Sequence, residues 1–102
     1  MRVIEEQMLK AVKEKKSRKL GGIHASLGTN TEVRYDADDG CSAVFLFGNH
    51  IADYWHGKDK ALEVNIPTLE AFPTKTTISR LRALGADIRT VKGVLYLDGY
   101  EL

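Results

Sequence analysis

The stretch "CSAVFLFGNHIADYW" (residues 41–55) decides the fold. Residues 41–47 form a continuous apolar run of strand length, and residues 50–55 are rich in types that strands favour. Gly48-Asn49 between them supplies the backbone freedom of a tight turn. A hairpin is expected, with 41–47 as the central and most buried strand. Working towards the N-terminus, "TEVRYD" (31–36) alternates, placing Val33 and Tyr35 on one face, and "ADDG" (37–40) is a turn. Working towards the C-terminus, "HGKDK" (56–60) is another turn. "ALEVNI" (61–66) also alternates, with Leu62, Val64 and Ile66 inward. Three hairpin connections in series give a four-strand antiparallel meander.

Helices flank this meander. Residues 2–19 carry Val3, Ile4, Met8, Leu9 and Val12 at helical spacing, and Gly21-Gly22 reads as the stop. "IHASLGTN" (23–30) is a connector with small and turn-forming residues. Pro67 and Pro73 bracket a loop, and "TKTTISRLRALG" (74–85) is a second helix, with Thr74 as N-cap and Gly85 as C-cap. "ADIRTV" (86–91) and "VLYLDG" (94–99) close the chain as a hairpin through Lys92-Gly93. The expected fold class is α+β: an N-terminal helix, a four-strand meander, a second helix and a C-terminal β-hairpin. All of it falls in a single domain, 1–102, with residues 1–20 a basic amphipathic helix and residues 29–99 the α+β core.

Composition bounds the function. At 102 residues, 43% hydrophobic and 28% charged, the chain is long enough for one modest core. The single cysteine, Cys41, can form no internal disulfide, which fits a cytoplasmic protein. The first ten residues are charged and contain no apolar run, so no secretory signal is expected. No stretch approaches the length of a membrane span.

The net charge of +1 hides an asymmetry. Residues 10–19 hold Lys10, Lys13, Lys15, Lys16, Arg18 and Lys19 against Glu14 alone, whereas residues 20–102 hold eight basic and eleven acidic side chains. A basic segment on an acidic body can steer a protein to a polyanion. Lysines near a helix C-terminus also complement its dipole without any ligand. Arg80 and Arg82 on the second helix, among Thr74, Thr76, Thr77 and Ser79, extend the candidate nucleic-acid or partner-binding set. Tyr35, Tyr54, Trp55 and Tyr96 could stack bases from an open sheet face.

Catalytic and metal readings are weak. On a regular strand His50, Ala52 and Tyr54 share one face and Ile51, Asp53 and Trp55 the other, so Asp53 should point away from His50. His50 and His56 would stand about 20 Å apart along an extended strand. No metal site, catalytic residue or cofactor is expected, and His24, His50 and His56 have no assigned role. "DADDG" (36–40) resembles the start of a calcium loop, but its spacing is one residue short and the twelfth position is Phe47 rather than Glu. Asp36, Asp38, Asp39 and Asp53 leave a small hydrolase as a lesser alternative.

The segments "NTEV", "FGNHIADY" and "TKTTISRLRALGADIRTVKGVLYLDG" resemble a group of small accessory proteins of tailed bacteriophages. The resemblance rests on Asn30, Thr31 and Val33; Gly48, Asn49, Ile51 and Ala52; Thr74, Thr76, Thr77, Ser79, Arg80, Leu81 and Leu84; and Lys92, Gly93 and Tyr96. It covers about residues 29–99 and leaves the basic helix outside as a chain-specific arm. Phe47 stands where that group suggests a histidine. The resemblance implies a small non-enzymatic protein that binds a host protein in the host cytoplasm and modulates or inhibits it. Direct nucleic-acid binding is the alternative, and a homodimer through Ile4, Met8 and Val12 is a further option.

Overall fold

The computed structural model describes residues 2–21, 29–57 and 61–102, with only the backbone of Thr29. The connector 23–30 lies mostly outside these residues, as do His24 and part of the turn at 56–60.

The first helix, α1 (Val3–Lys13), is shorter than its sequence suggests. Glu5 and Glu6 sit in its first turn, where the dipole favours acids, and Met8, Ala11 and Val12 are its buried stripe. It ends at Glu14 because Lys15 enters the left-handed region at φ 55°. The Lys15 N–H then donates to the Val12 carbonyl at 3.2 Å and the Lys16 N–H to that of Ala11 at 2.9 Å, a Schellman closure. Gly21-Gly22 is therefore not the helix stop. Arg18–Gly21 forms an edge strand, β1, instead of a fifth helical turn. Good helix propensity in this segment yields to tertiary pairing. Leu20 lies opposite Thr31 and is buried, and the Ser17 hydroxyl accepts from the Tyr35 N–H at 2.9 Å.

The remaining strands of the first sheet follow in chain order: β2 (Thr29–Asp36), β3 (Cys41–Leu46), β4 (Asn49–Trp55) and β5 (Leu62–Val64). Spatial order matches chain order, β1-β2-β3-β4-β5, and every pair is antiparallel. The expected meander is present, β3 is its middle strand, and β1 adds a fifth. Asp36 shapes the first turn by accepting the Asp38 and Asp39 N–H groups at 2.9 and 3.3 Å, the role of a hairpin aspartate. The next turn is Phe47-Gly48, one residue earlier than expected, with φ of 50° and 78°. Both positive angles match the two-residue turn that fits strand twist.

Alternation breaks between β1 and β2, where Leu20 pairs with Thr31 but Gly21 with Thr29, and again in β4. Val44 pairs with Ala52 but Phe45 pairs with His50, so Ile51 is an extra residue in β4. As a result Ile51 and Ala52 both enter the core.

Beyond β5 the chain differs from its expected path. Asn65 caps a short helix, α2 (Ile66–Ala71), by accepting the Thr68 N–H at 3.3 Å. Pro67 suits its first turn, where the missing N–H is of no consequence. Ile66, expected to face inward on a strand, is exposed as the first residue of that helix. The next helix, α3 (Lys75–Leu84), has the expected caps. Thr74 accepts the Thr77 N–H at 3.1 Å, and Gly85 sits at φ 113°. A second, three-stranded sheet ends the chain: β6 (Ile88–Val91), β7 (Val94–Leu97) and β8 (Tyr100–Glu101). The strand β8 has only two residues, too few to leave an alternation in the sequence.

One hydrophobic cluster joins the parts. It runs from Met8, Ala11 and Val12 through Leu20, Val33, Val44, Leu46, Ile51 and Ala52 to Leu69, Leu81, Leu84 and Ile88. Met8 and Val12 are thus buried in the chain's own core, which removes the proposed dimer seam. At the centre of this packing Glu5 and Arg80 form a buried ion pair.

Candidate interaction surface

The core takes one face of the five-stranded sheet and leaves the other uncommitted. Register defines the uncommitted face. Lys19, Glu32, Phe45 and His50 form one cross-strand row. Arg34, Ala43, Asp53 and Glu63 form the next. Asp36, Cys41 and Trp55 form a third.

These side chains hold one another in place. Glu32 and Arg34, two apart on β2, share the face, and the guanidinium donates to the carboxylate at 2.9 and 3.2 Å. That contact holds the Glu32 carboxyl below its ordinary range and raises the Arg34 group. The same guanidinium stacks over the Phe45 ring, 4.2 Å from its centre. Phe45 packs in turn on His50, with ring centres 5.1 Å apart. Trp55 donates its indole N–H to Glu63 at 3.2 Å.

Asp53 does not point away from His50. The bulge at Ile51 restores both to one face, and His50 Nε2 lies 2.7 Å from Asp53 Oδ1. Asn65 fixes the tautomer. Its Oδ1 is occupied by the Thr68 N–H, so its amide Nδ2 donates to His50 Nδ1 at 3.4 Å. The acceptor nitrogen is Nδ1, and Nε2 carries the proton towards Asp53.

A histidine–aspartate pair suggests general-base chemistry, and a covalent route through it would need a side-chain nucleophile within reach. Cys41 is the nearest thiol on this face. Burial first, and then the Asp53 carboxylate, pushes it up to about 11, so it is a protonated thiol. A histidine–hydroxyl contact, Ser42 to His56 Nε2 at 2.8 Å, lies on the core side, where Ser42 is fully buried and His56 packs on Tyr35 and Tyr54. Among the described residues no group of three His, Cys, Asp or Glu could hold a metal.

The residues expected to bind nucleic acid are dispersed. Lys10 and Lys13 lie on α1, Lys15 and Lys16 in the turn after it, and Arg18 and Lys19 on β1. All six are exposed, but they follow a bend in the chain and do not form one helical face. Lysine and arginine on an edge strand also guard it against pairing with another sheet. Arg80 is 2% exposed and committed to Glu5 and Thr31, at 2.8 and 3.2 Å, which places it out of reach of a phosphate backbone. Arg82 is exposed and anchored by its Nε to the Ile88 carbonyl at 2.9 Å. The sequence reading missed the Glu32–Arg34–Phe45–His50–Asp53 set. Its one sequence signal is the acid–base pair two residues apart in "TEVRYD", while the bulge that recruits Asp53 left none.

The architecture defines a small α+β protein with one open sheet face. The family model described as Kyanoviridae Gp96 protein matches residues 1–101, and the chain belongs to that family of phage proteins. The match includes the N-terminal helix and basic segment, so these are part of the family's common chain rather than an added arm. No curated protein and no solved structure matches the chain with significance. No helix among the described residues is long and apolar enough to cross a membrane.

Proposed function

We propose that this phage protein is a non-enzymatic accessory protein that acts in the host cytoplasm by binding a host protein through the open face of its five-stranded sheet. The observation that carries this reading is the Arg34–Phe45 stack beside Trp55 on a face that the core leaves uncovered. Arginine and aromatic side chains held rigidly at the centre of a patch are the composition of binding hot spots. The charges on this face are mixed in sign and largely paired, as in Arg34 with Glu32, which suits a protein surface better than a polyanion.

The test is capture of host proteins from bacterial lysate on tagged protein, with and without nuclease. Retention after nuclease, lost in Phe45→Ser and Trp55→Ala but kept in Lys13→Glu with Lys16→Glu, supports the reading. Retention unaffected by both face variants rejects it.

Nucleic-acid binding is the second reading, favoured by the exposure of all six basic side chains between Lys10 and Lys19. It requires recovery that disappears with nuclease, falls steeply with salt, and responds to charge reversal at Lys13, Lys15, Lys16 and Lys19.

A further inference from the structure

A second surface lies on α3. Lys75, Ile78, Ser79, Arg82 and Ala83 fall at helical spacing on one side of it. Together with Arg2 they line a cleft of about 780 Å³ beside Thr90 of β6. Its floor carries the half-buried Ile78 and Ala83.

The charge of this cleft is one-sided. Glu5 is its only acid among the described residues, and the carboxylate is already spoken for by the Ser79 hydroxyl at 2.6 Å and the buried Arg80 guanidinium at 2.8 Å. Among the described residues no carboxylate forms an ion pair with Arg2, Lys75 or Arg82. Arg82 is fixed by its Nε bond to Ile88, which leaves its outer nitrogens for a ligand. The dipole of α3 adds to this charge. Lys75 is the first residue of α3, whose first turn has no acid, whereas Arg2, the N-cap of α1, has Glu5 and Glu6 in its helix's first turn. Cations at helix N-termini are unfavourable unless an anion joins them.

We propose that this cleft binds an acidic amphipathic segment of a partner protein, with its carboxylates on Arg2, Lys75 and Arg82 and an apolar side chain on Ile78 and Ala83. Among the described residues no aromatic side chain lines the cleft to stack a base, and the apolar floor suits a peptide better than a nucleic acid. This surface is distinct from the open sheet face and stands or falls separately from it.

The test is titration of isotope-labelled wild-type protein with an amphipathic peptide of Glu and Leu, followed by amide shifts. The same titration is run with the Gln and Leu counterpart and with oligothymidylate. Saturating shifts at Ser79, Ala83 and Thr90 with the acidic peptide alone are expected. The double variant Lys75→Gln with Arg82→Gln should weaken binding about tenfold, and Lys13→Gln with Lys16→Gln should leave it unchanged. Equal binding of the Gln peptide, preference for the oligonucleotide, or shifts confined to the basic segment would each overturn the proposal. The wild-type shift map decides the matter even where a variant fails to fold.

Discussion

Glu5 on the first helix and Arg80 on the third form an ion pair of 2.8 Å, with each side chain less than 5% exposed. Burial by itself would raise the Glu5 carboxyl, but hydrogen bonds from Ser79 and Arg80 and the Arg2 backbone outweigh it and hold it below 4.5. Arg80 also reaches Thr31 on β2, so a single guanidinium ties two helices to the sheet.

Removing one partner of this pair leaves an uncompensated buried charge. Arg80→Met should lower unfolding free energy by about 3–5 kcal/mol, and adding Glu5→Leu should restore most of the loss. Urea denaturation of the two single variants and the double variant measures this. A loss under about 1 kcal/mol in Arg80→Met would show that the pair is not desolvated.

Stability should rise with pH across the acid range. The Glu5 carboxyl is depressed in the fold, so its contribution is complete above 4.5 and is lost as pH falls through the folded value. Burial, followed by the nearby Lys15 charge, lowers the His56 imidazole, so the folded state prefers it neutral. Its contribution is complete above 6.5 and is lost as pH falls from there to the folded value. Denaturation midpoints measured at intervals from about pH 8 to pH 3 should therefore fall in two stages. His56→Asn should abolish the upper stage, and Glu5→Gln should shrink the lower, to which the depressed Glu32 carboxyl also contributes. A midpoint independent of pH below 6.5 would contradict both assignments.

Phe47 occupies a left-handed turn position at φ 50° while 68% exposed, so its ring gains little from the fold. Asparagine tolerates this geometry far better. Phe47→Asn should raise stability by about 1 kcal/mol, read from thermal or urea unfolding. A fall in stability would mean that the ring's packing near Phe72 outweighs the backbone strain.

Neutral His50 should carry its proton on Nε2. Long-range ¹⁵N–¹H spectra distinguish the tautomers, and Asn65→Ala should release the preference while costing α2 about 1 kcal/mol for its cap. A proton found on Nδ1 would require the Asn65 amide to be turned over, at the expense of its bond to Thr68.

Most of the meander was legible because strands β2 to β5 alternate or run apolar between recognisable turns. The caps at Thr74 and Gly85 were legible because local side-chain and backbone chemistry decides them. Strand β1 was not legible. "RKLG" is built largely of good helix formers, and its pairing with β2 is tertiary. The open-face site was hidden for a related reason. One extra residue, Ile51, inverts the side on which Asp53 emerges, and period-two counting cannot detect an insertion whose only evidence is the partner strand. Arg80 was assigned to the surface because arginine usually lies there, and only the three-dimensional contact with Glu5 overrides that expectation.

The first sheet is laid down in chain order, each strand hydrogen-bonding to the one just made. Most loops to be closed are therefore short, and contact order in this part of the chain is low. Such a sheet should zip together quickly by β-protein standards. The Glu5–Arg80 contact is the opposite case, since it spans 75 positions. During synthesis the first helix can make that contact only after residue 80 has left the ribosome. The ion pair is therefore a late event, whereas the Met8–Val12 stripe of α1 can already pack on β1 and β2, the strands made directly after it.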